Sequence, residues 1–263
     1  MLIPPPPLAL ITGASRGLGA AYARNLAAKG FRLLLVARDE SRLAKLADTL
    51  QSRHGIIVHF GALDLSQPEA GTRLYDLTRQ YCDAPDMLIN NAGFGMYGEF
   101  HTHPLGEIKK MLHLHINLIV ETVHAFLPNM IARRSGFIIN VSSLAGFFSL
   151  PYMAEYAATK AFLISFSEAL AEEVRPFGIT VQACCPGQTE TDFHTTAGFR
   201  PQGFARPQAP DEVVRASLLA LRTNRPTMIF GWPGQVATLL AKWLPRRFLA
   251  RFAATRIRPP NSL

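Results

Sequence analysis

Tyr156 and Lys160 stand four residues apart, a spacing that places two side chains on one face of a helix. A free tyrosine titrates near pH ~10, so an unassisted phenol exchanges few protons with a substrate at neutral pH. A neighbouring ammonium stabilises the phenolate, and the pair therefore predicts that Lys160 lowers the pKa of Tyr156 toward the working range. Ser143, thirteen residues before Tyr156, offers a hydroxyl on a separate element. These three side chains could exchange a proton with a substrate oxygen.

A glycine-containing turn follows the first apolar run, Leu8–Ile11. Glycines in such a turn let the backbone approach a pyrophosphate, which the free N–H groups of the next helix then bind. The spacing is G-x-x-x-G-x-G rather than G-x-G-x-x-G, but the turn stands between a predicted strand and a predicted helix. The sequence therefore predicts a dinucleotide site whose contacts include Gly13, Ser15, Arg16, Gly17, Leu18 and Gly19.

The end of the second apolar run indicates which dinucleotide binds. An acidic residue at this tip would bind the ribose hydroxyls of NAD. Here Ala37 and Arg38 occupy the tip, and Arg16 adds a second guanidinium from the glycine turn. Two guanidiniums suit a 2′-phosphate, so we expect NADP(H). Asp39 keeps NAD open as the alternative, although it stands past the tip and is expected to begin the next helix.

Seven apolar runs alternate with amphipathic stretches along the chain. Continuous apolar runs are typical of parallel strands that helices cover on both faces. The pattern predicts a doubly wound α/β fold with a seven-stranded parallel sheet, built as a single domain over residues 1–263 with its core at 8–187. The runs are Leu8–Ile11, Leu33–Val36, Ile56–Val58, Met87–Ile89, Phe137–Val141, Ile179–Ala183 and Thr227–Phe230.

Composition narrows the environment in which the chain works. No apolar run approaches the ~18–20 residues of a membrane span. The stretch Met1–Leu10 contains four prolines and no positive charge, unlike a secretory signal. Cys82, Cys184 and Cys185 are too few for a disulfide framework and are expected as free thiols. These observations predict a cytoplasmic protein.

The stretch 188–210 interrupts the alternation of strands and helices. It is rich in Thr, Gly, Pro and Gln and directly follows the sixth apolar run. A long irregular stretch at the end of a strand is typical of a lid, so we predict a substrate lid here. An ordinary surface loop is the alternative.

The chain resembles the short-chain dehydrogenase/reductase family of the Tyr-x-x-x-Lys type, which has a single Rossmann-like domain. The resemblance covers residues 8–192 and rests on motifs that occur in the family's order. These motifs are the glycine turn, Asp64 after the third run, Asn90-Asn91-Ala92-Gly93 after the fourth, Asn117, Ser143, Tyr156 with Lys160, and Pro186-Gly187 with Thr191.

The resemblance implies a role for each of these positions. Tyr156 would donate a proton to a carbonyl oxygen, Ser143 would hydrogen-bond the same oxygen, and Lys160 would hold the nicotinamide ribose. Asn117 would fix a water that links Lys160 to solvent, with a plain helix-surface amide as the alternative. Ser142 competes with Ser143 but is expected to turn into the sheet. Cofactor contacts outside the glycine turn would come from Arg38, Asp64, Asn91, Ala92, Gly93, Tyr156, Lys160, Pro186, Gly187, Thr189 and Thr191.

Apolar residues close to these motifs indicate a hydrophobic carbonyl substrate, although each alone could serve core or lid packing. They are Phe94, Met96, Tyr97, Phe147, Phe148, Leu150, Tyr152, Met153, Phe193, Phe199 and Phe204. His194 is a further candidate to reach the substrate from the lid. The spacing of five other histidines matches no metal-ligand pattern, so we expect solvated or helix-face side chains and no metal site. These are His101, His103, His113, His115 and His124.

The C-terminal extension, residues 235–258, is apolar on one side and basic. Residues 213–263 contain nine Lys or Arg and no Asp or Glu. Three interpretations stay open: a helix packed on its own domain, an anchor on a membrane surface, or a contact with a subunit or acidic partner. No nucleic-acid-reading motif accompanies the charge, so nucleic acid is not expected. The apolar stripe consists of Val236, Leu239, Leu240, Trp243 and Leu244.

Together these features predict an NADP(H)-dependent oxidoreductase that interconverts a hydrophobic ketone and a secondary alcohol. By resemblance the ketone is expected to be 3-oxoacyl or steroid-like. The alternative from another class is a non-catalytic NADP-binding redox sensor or scaffold, but such proteins tend to lose the tyrosine or lysine that this chain keeps. The family usually assembles through the helices after Pro104 and Tyr156, so we expect a homodimer or homotetramer.

Overall fold

The computed structural model describes residues 5–190, 207–241 and 243–259. Seven strands form one parallel sheet: β1 Leu8–Thr12, β2 Arg32–Ala37, β3 Val58–Ala62, β4 Met87–Asn90, β5 Gly136–Val141, β6 Ile179–Cys185 and β7 Thr227–Ile229. Their order across the sheet is β3-β2-β1-β4-β5-β6-β7. Together with the helices on both faces, this order confirms the doubly wound α/β fold.

The helices between the strands cover the two faces of the sheet. One face packs against α1, α2 and α7, and the other against α3, α5 and α6. Among the described residues no helix is both long and apolar enough to cross a membrane. The helices are α1 Gly17–Ala27, α2 Glu40–His54, α3 Ala70–Arg79, α4 Leu105–Leu112, α5 Leu118–Arg133, α6 Ala154–Val174, α7 Pro210–Ala220, α8 Trp232–Ala241 and α9 Arg246–Arg256.

Strand β1 illustrates why the apolar runs are continuous. Ala9 and Ile11 point into the core beneath α1 and α2, whereas Leu8 and Leu10 point into the opposite core. Successive side chains of a strand face opposite sides, so a strand buried on both sides needs an apolar residue at every position. Each large aliphatic side chain buried in this way stabilises the fold by about 1.5–3 kcal/mol.

The third strand lies further along the chain than predicted. The apolar run suggested Ile56–Val58, but β3 spans Val58–Ala62, and Ile57 is 52% exposed. The reason is that β3 is an edge strand, with β2 as its one neighbour. Its residues after Val58 are half-buried or exposed, so this strand lacks the continuous apolar pattern of the inner strands.

The parallel strands all end at one edge of the sheet. The chain leaves β1 toward α1 on one face and leaves β4 toward α4 and α5 on the other. A crevice therefore opens between the carboxyl ends of two neighbouring strands, which is where open α/β sheets bind ligands. All of the predicted site residues that the structure describes, except Gly19 and Asn117, line this crevice.

Candidate active site

Tyr156 and Lys160 lie in the first turns of α6 and face the crevice. They are 6% and 5% exposed, respectively. The Lys160 Nζ atom lies 5.7 Å from the centroid of the Tyr156 ring and donates to the Val141 carbonyl oxygen at 2.8 Å. The helix is rich in alanine, a strong helix former. Because the segment is helical, residues four apart, such as Tyr156 and Lys160, lie on the same face.

Ser143 follows β5 and reaches Tyr156 from the opposite wall of the crevice. Its Oγ atom accepts a hydrogen bond from the Ala145 N–H at 3.1 Å, and its hydroxyl hydrogen-bonds the Tyr156 phenol. Ser142 is buried and donates to the Lys160 carbonyl oxygen at 2.7 Å. Ser143 is therefore the serine whose hydroxyl contacts the Tyr156 phenol, whereas the hydrogen bond of Ser142 connects the end of β5 to α6.

Burial opposes the effect that the sequence predicts for Lys160 on the pKa of Tyr156. Burial raises the pKa of Tyr156 to about 12, and the hydrogen bond from Ser143 offsets only part of this rise. Burial also lowers the pKa of Lys160 to about 8. The Nζ atom donates to the Val141 carbonyl oxygen, and the cost of ionising a buried phenol is the largest influence on the pKa of Tyr156. Tyr156 is a protonated acid at neutral pH.

Asn117 does not take the position that the resemblance implied. It is exposed and begins the outward stripe of α5, which continues through Val120, Glu121 and His124. Lys160 is buried, so an exposed amide on this stripe cannot fix a water beside it. The plain helix-surface amide, the alternative from the sequence, is therefore the correct interpretation.

His115 occupies the corresponding position on the buried side of the same segment, a turn of π-helix at His113–Asn117. It is 0% exposed, and its ring meets the Tyr156 ring edge-on with centroids 5.9 Å apart. Its Nε2 atom accepts from the Phe94 N–H at 3.2 Å, and its Nδ1 atom lies 2.9 Å from the Thr159 Oγ. Burial, followed by the charge of Lys160, holds the pKa of His115 well below its usual value.

The buried environment of His115 also corrects the expectation for the histidines. His103 is nearly buried too, with its Nδ1 atom 2.5 Å from the Glu155 Oε1 atom. The sequence predicted solvated or helix-face histidines; neither of these two is solvated, although His115 does lie on a face of its helical turn. Within the described ranges no group of three or more His, Cys, Asp or Glu side chains is arranged to hold a metal ion.

The glycine turn has the tight geometry that a pyrophosphate site needs. Gly13 has a φ of +65°, and a Cβ atom on Gly19 would lie 2.2 Å from the Gly13 carbonyl oxygen. The Asn91 amide donates to the carbonyl oxygens of Thr12 and Gly13 at 2.9 and 3.1 Å. Asn91 thus braces the turn from β4, and the start of α1 faces a cleft of about 1130 Å³.

The far end of this cleft carries the groups expected to bind the adenosine half of a dinucleotide. Arg16 and Arg38 are exposed there, and Asp64 lines the same wall. Asp39 caps α2, because its Oδ1 atom accepts from the Arg42 N–H at 3.0 Å and from the Ser41 hydroxyl at 2.9 Å. These two bonds hold the pKa of Asp39 below its usual value. The acid therefore begins the helix, as expected.

The opposite end of the cleft brings the loop after β6 next to the loop after β5. The Leu144 N–H donates to the Pro186 carbonyl oxygen at 2.9 Å, and the Gly187 N–H donates to the Gln208 side chain at 3.1 Å. Thr189 pairs with Gln208 in a parallel bridge, so both described ends of the predicted lid meet here. Lining residues include Ala92, Gly93, Pro186, Gly187 and Thr189. Thr191, Phe193, His194, Phe199 and Phe204 lie outside the described residues.

The wall nearest Tyr156 is apolar. It is formed by Phe94, Met96, Phe148, Leu150, Met153 and Ile257. Ile257 was not predicted from the sequence, because it lies a hundred residues beyond the catalytic motif and follows α9. Its carbonyl oxygen accepts from the Tyr97 hydroxyl at 2.7 Å. The one signal in the sequence was the apolar residue among arginines at the chain end.

These residues fit a nicotinamide dinucleotide. The glycine turn leaves room for a phosphate close to the backbone. The guanidiniums of Arg16 and Arg38 lie at one end of the cleft, and the protonated Tyr156 phenol lies at the other end beside the apolar wall. Such a cleft can hold a cofactor along the sheet edge and place a small apolar molecule against Tyr156.

Comparison with known proteins agrees with this geometry. A family model described as short chain dehydrogenase matches residues 7–199. A very-long-chain 3-oxoacyl-CoA reductase of Danio rerio is 33% identical over 247 residues, which cover 89% of this chain and 73% of the relative. A short-chain dehydrogenase from Sphingobium yanoikuyae, solved in complex with NADPH, is 30% identical with a TM-score of 0.82 over 98% of both chains.

A second solved structure is that of a bulky-bulky ketone specific alcohol dehydrogenase from Comamonas testosteroni. It is 28% identical with a TM-score of 0.78, and the match covers 98% of this chain and 97% of that one. The family model and the relatives match the segments that build the cleft, from the glycine turn to the Tyr156 helix. The chain belongs to the short-chain dehydrogenase family of oxidoreductases.

Proposed function

We propose that this oxidoreductase uses NADP(H) to interconvert a hydrophobic ketone and a secondary alcohol. The observation that carries the proposal is the protonated Tyr156, hydrogen-bonded to Ser143 where a dinucleotide-sized cleft meets an apolar wall. A neutral phenol at this junction is a proton donor for a carbonyl oxygen.

The preference for NADP(H) over NAD(H) is supported by the groups at the adenosine end. Arg16 and Arg38 are exposed toward the cleft and suit a 2′-phosphate. The carboxylate of Asp39, which would otherwise favour NAD, is engaged by the N-terminus of α2. The Sphingobium relative was solved with NADPH.

The residues of the chain would act together on the carbonyl oxygen. NADPH, when bound, supplies the hydride that reaches the carbonyl carbon. Tyr156 donates its proton to the oxygen, and Ser143 donates a hydrogen bond that stabilises the charge developing there. Lys160 supplies the positive charge that offsets the phenolate left behind in a buried site. The apolar wall excludes water from this transfer.

The apolar wall also supports the choice of substrate class. Met96, Leu150, Met153 and Ile257 surround the space in front of Tyr156, and burying an apolar ligand there is favourable by about 25 cal/mol per Å². The relatives are named for a very-long-chain 3-oxoacyl-CoA and for bulky ketones. We therefore propose a 3-oxoacyl or steroid-like ketone. The oligomeric state and the cytoplasmic location stay predictions.

The test is NADPH oxidation with a panel of hydrophobic ketones, comparing the wild type with Tyr156→Phe. We expect turnover of at least one ketone, and a fall in kcat of about 10²- to 10⁴-fold in the variant. NADPH binding, followed by its fluorescence, should be retained. Tyr75→Phe is the matched control, because Tyr75 stacks on Phe126 away from the cleft. Tight NADPH binding without turnover of any ketone would instead favour the redox sensor.

A further inference from the structure

Helix α8 presents its large apolar side chains to solvent. Gly234 and Thr238 face the domain, where a Cβ atom on Gly234 would lie 2.9 Å from the Leu144 Cδ1 atom. Trp232, by contrast, is 75% exposed. The helix therefore packs through its small residues, and the apolar stripe predicted from the sequence points outward, not into the domain core.

The exposed apolar surface continues through the turn into α9. Trp243 in the turn is 84% exposed, and Phe248 and Phe252 of α9 are also exposed. A contiguous apolar patch of this kind is rare on a monomeric protein unless it binds something. We call this surface the α8–α9 face; its exposed apolar residues are Trp232, Val236, Leu239, Leu240, Trp243, Leu244, Phe248 and Phe252.

Arginines flank the aromatic side chains on α9. Arg247 and Arg251 lie on one side of the Phe248–Phe252 pair, and the Arg256 guanidinium lies 5.2 Å from the Phe252 ring centroid on the other. Among the described residues, Arg247 and Arg251 are exposed and have no ion-pair partner. Residues 213–263 contain nine Lys or Arg and no acidic residue.

The combination of exposed aromatic side chains and arginines indicates what binds to the α8–α9 face. A second copy of the same face would bring two strongly basic segments together, and like charges oppose such a contact. The exposed apolar side chains lie along two helices and the turn between them. Tryptophan and phenylalanine flanked by arginine instead match the boundary between lipid headgroups and acyl chains. Anionic headgroups attract each basic residue in addition.

We propose that the α8–α9 face docks on the surface of an anionic lipid bilayer. In this orientation the apolar side chains of α8 and the turn enter the acyl boundary. Arg247 and Arg251 then bind headgroup phosphates, and the sheet stays outside the lipid. Nothing in this docking requires the reaction proposed above.

The docking face connects directly to the catalytic cleft. Ile257, immediately after α9, lines the cleft beside Tyr97. A second cavity of about 540 Å³ lies beneath α8 and α9, lined by Ala154, Ala241 and Leu249 among others. Phe148 and Leu150 line both cavities. If the proposed function holds, a ketone dissolved in the bilayer would approach Tyr156 from the side of the cleft that Phe148, Leu150 and Ile257 line.

The test is co-sedimentation of the full chain with vesicles of phosphatidylcholine, with and without phosphatidylglycerol. We expect binding to the anionic vesicles and little binding to the neutral ones. The double variant Arg247→Gln with Arg251→Gln should bind anionic vesicles about tenfold or more weakly. Its matched control is Arg53→Gln with Arg73→Gln, which removes the same charge from exposed positions on α2 and α3.

The apolar contribution is tested by Trp243→Ala with Phe248→Ala. The control is Phe100→Ala, which removes an aromatic side chain outside the face that is about as exposed as Phe248. Circular dichroism checks that each variant folds, and the binding assay reads out without any substrate. The proposal would be overturned if the folded wild-type protein did not bind anionic vesicles. Light scattering that shows a dimer which Trp243→Ala dissolves would overturn it too, because a second copy would then cover the face.

Discussion

Tyr156 and Lys160 are both buried, and burial penalises the charged form of each. It raises the pKa of Tyr156 to about 12 and lowers the pKa of Lys160 to about 8. At neutral pH the phenol keeps its proton, and the amine stays mostly protonated. In the proposed reaction, ketone reduction would start from these two states, whereas alcohol oxidation would need a phenol that has already lost its proton.

The two directions should therefore respond oppositely to pH. The rate of ketone reduction should be constant below about pH 8 and fall above it, because Lys160 then loses the charge that offsets the phenolate. The rate of alcohol oxidation should rise with pH instead. Initial rates in both directions at saturating substrate measure this. A reductive rate that climbs as the pH passes through about 8 would contradict the assignment.

His115 should act by positioning, not by proton transfer. Its Nε2 atom accepts from the Phe94 N–H, so Nδ1 carries the hydrogen and donates to Thr159, whose hydroxyl donates to the Tyr156 carbonyl oxygen. His115→Ala should destabilise the fold by about 2–4 kcal/mol and lower kcat with little change in KM. His115→Asn, which can still reach Thr159, should recover part of both.

The control for His115 is His124→Ala, an exposed histidine on α5, the helix that directly follows the π-helical turn. Denaturant unfolding and steady-state kinetics provide the two measurements. If His115→Ala shifts the pH profile of the rate, the ring takes part in proton transfer and the positioning role is wrong.

Some site residues could be predicted from the sequence and others could not, for a physical reason. Tyr156, Lys160 and Ser143 are close together in the sequence, so the sequence alone could predict that their side chains meet at one site. The pKa of Tyr156 could not, because it depends on burial by segments distant in sequence. Asn117 was misassigned because the buried face of its helix holds His115, and which face is buried depends on tertiary packing.

At the scale of elements, the junction between β2 and α2 carries the proposed preference for NADP(H). Arg38 ends the strand region, and Asp39 is the N-cap of α2. As N-cap, the carboxylate accepts hydrogen bonds from the Arg42 N–H and the Ser41 hydroxyl. The guanidiniums of Arg38 and Arg16 line the same end of the cleft.

The double variant Arg16→Gln with Arg38→Gln should lose NADPH selectively. We expect its Kd for NADPH to rise on the order of 10²-fold, because two charge-assisted hydrogen-bonding groups are removed. The Kd for NADH should stay nearly constant. Fluorescence titration with both cofactors measures this, and Arg53→Gln at the other end of α2 is the control. Equal weakening of both cofactors would show that these arginines do not read the 2′-phosphate.

The elements themselves were predictable where burial is two-sided. The inner strands are apolar at most positions, so apolar runs in the sequence predicted them. Strand β3 was displaced because an edge strand does not need that pattern. The sequence predicted the apolar stripe of α8, but it did not indicate whether the stripe faces the domain or the solvent. A periodic pattern shows that a helix has an apolar face without indicating what covers that face.

For the whole molecule, one parallel sheet explains why the functional groups converge. Residues from β1, β2, β4, β5 and β6 meet because parallel strands end at the same edge. The charge is divided differently: the acidic residues all lie at or before Glu212, and the basic segment follows. The sheet thus carries the chemistry, and the last helices carry the charge that we propose for lipid contact.

The most direct test follows the hydride itself. The protein is incubated with a hydrophobic ketone and NADPH that carries deuterium at both C4 positions of the nicotinamide ring, and the alcohol is analysed by mass spectrometry. We predict one deuterium on the carbinol carbon with the wild type, and a strongly reduced yield with Tyr156→Phe. An alcohol without deuterium, or an equal yield from the two proteins, would contradict the proposed reaction.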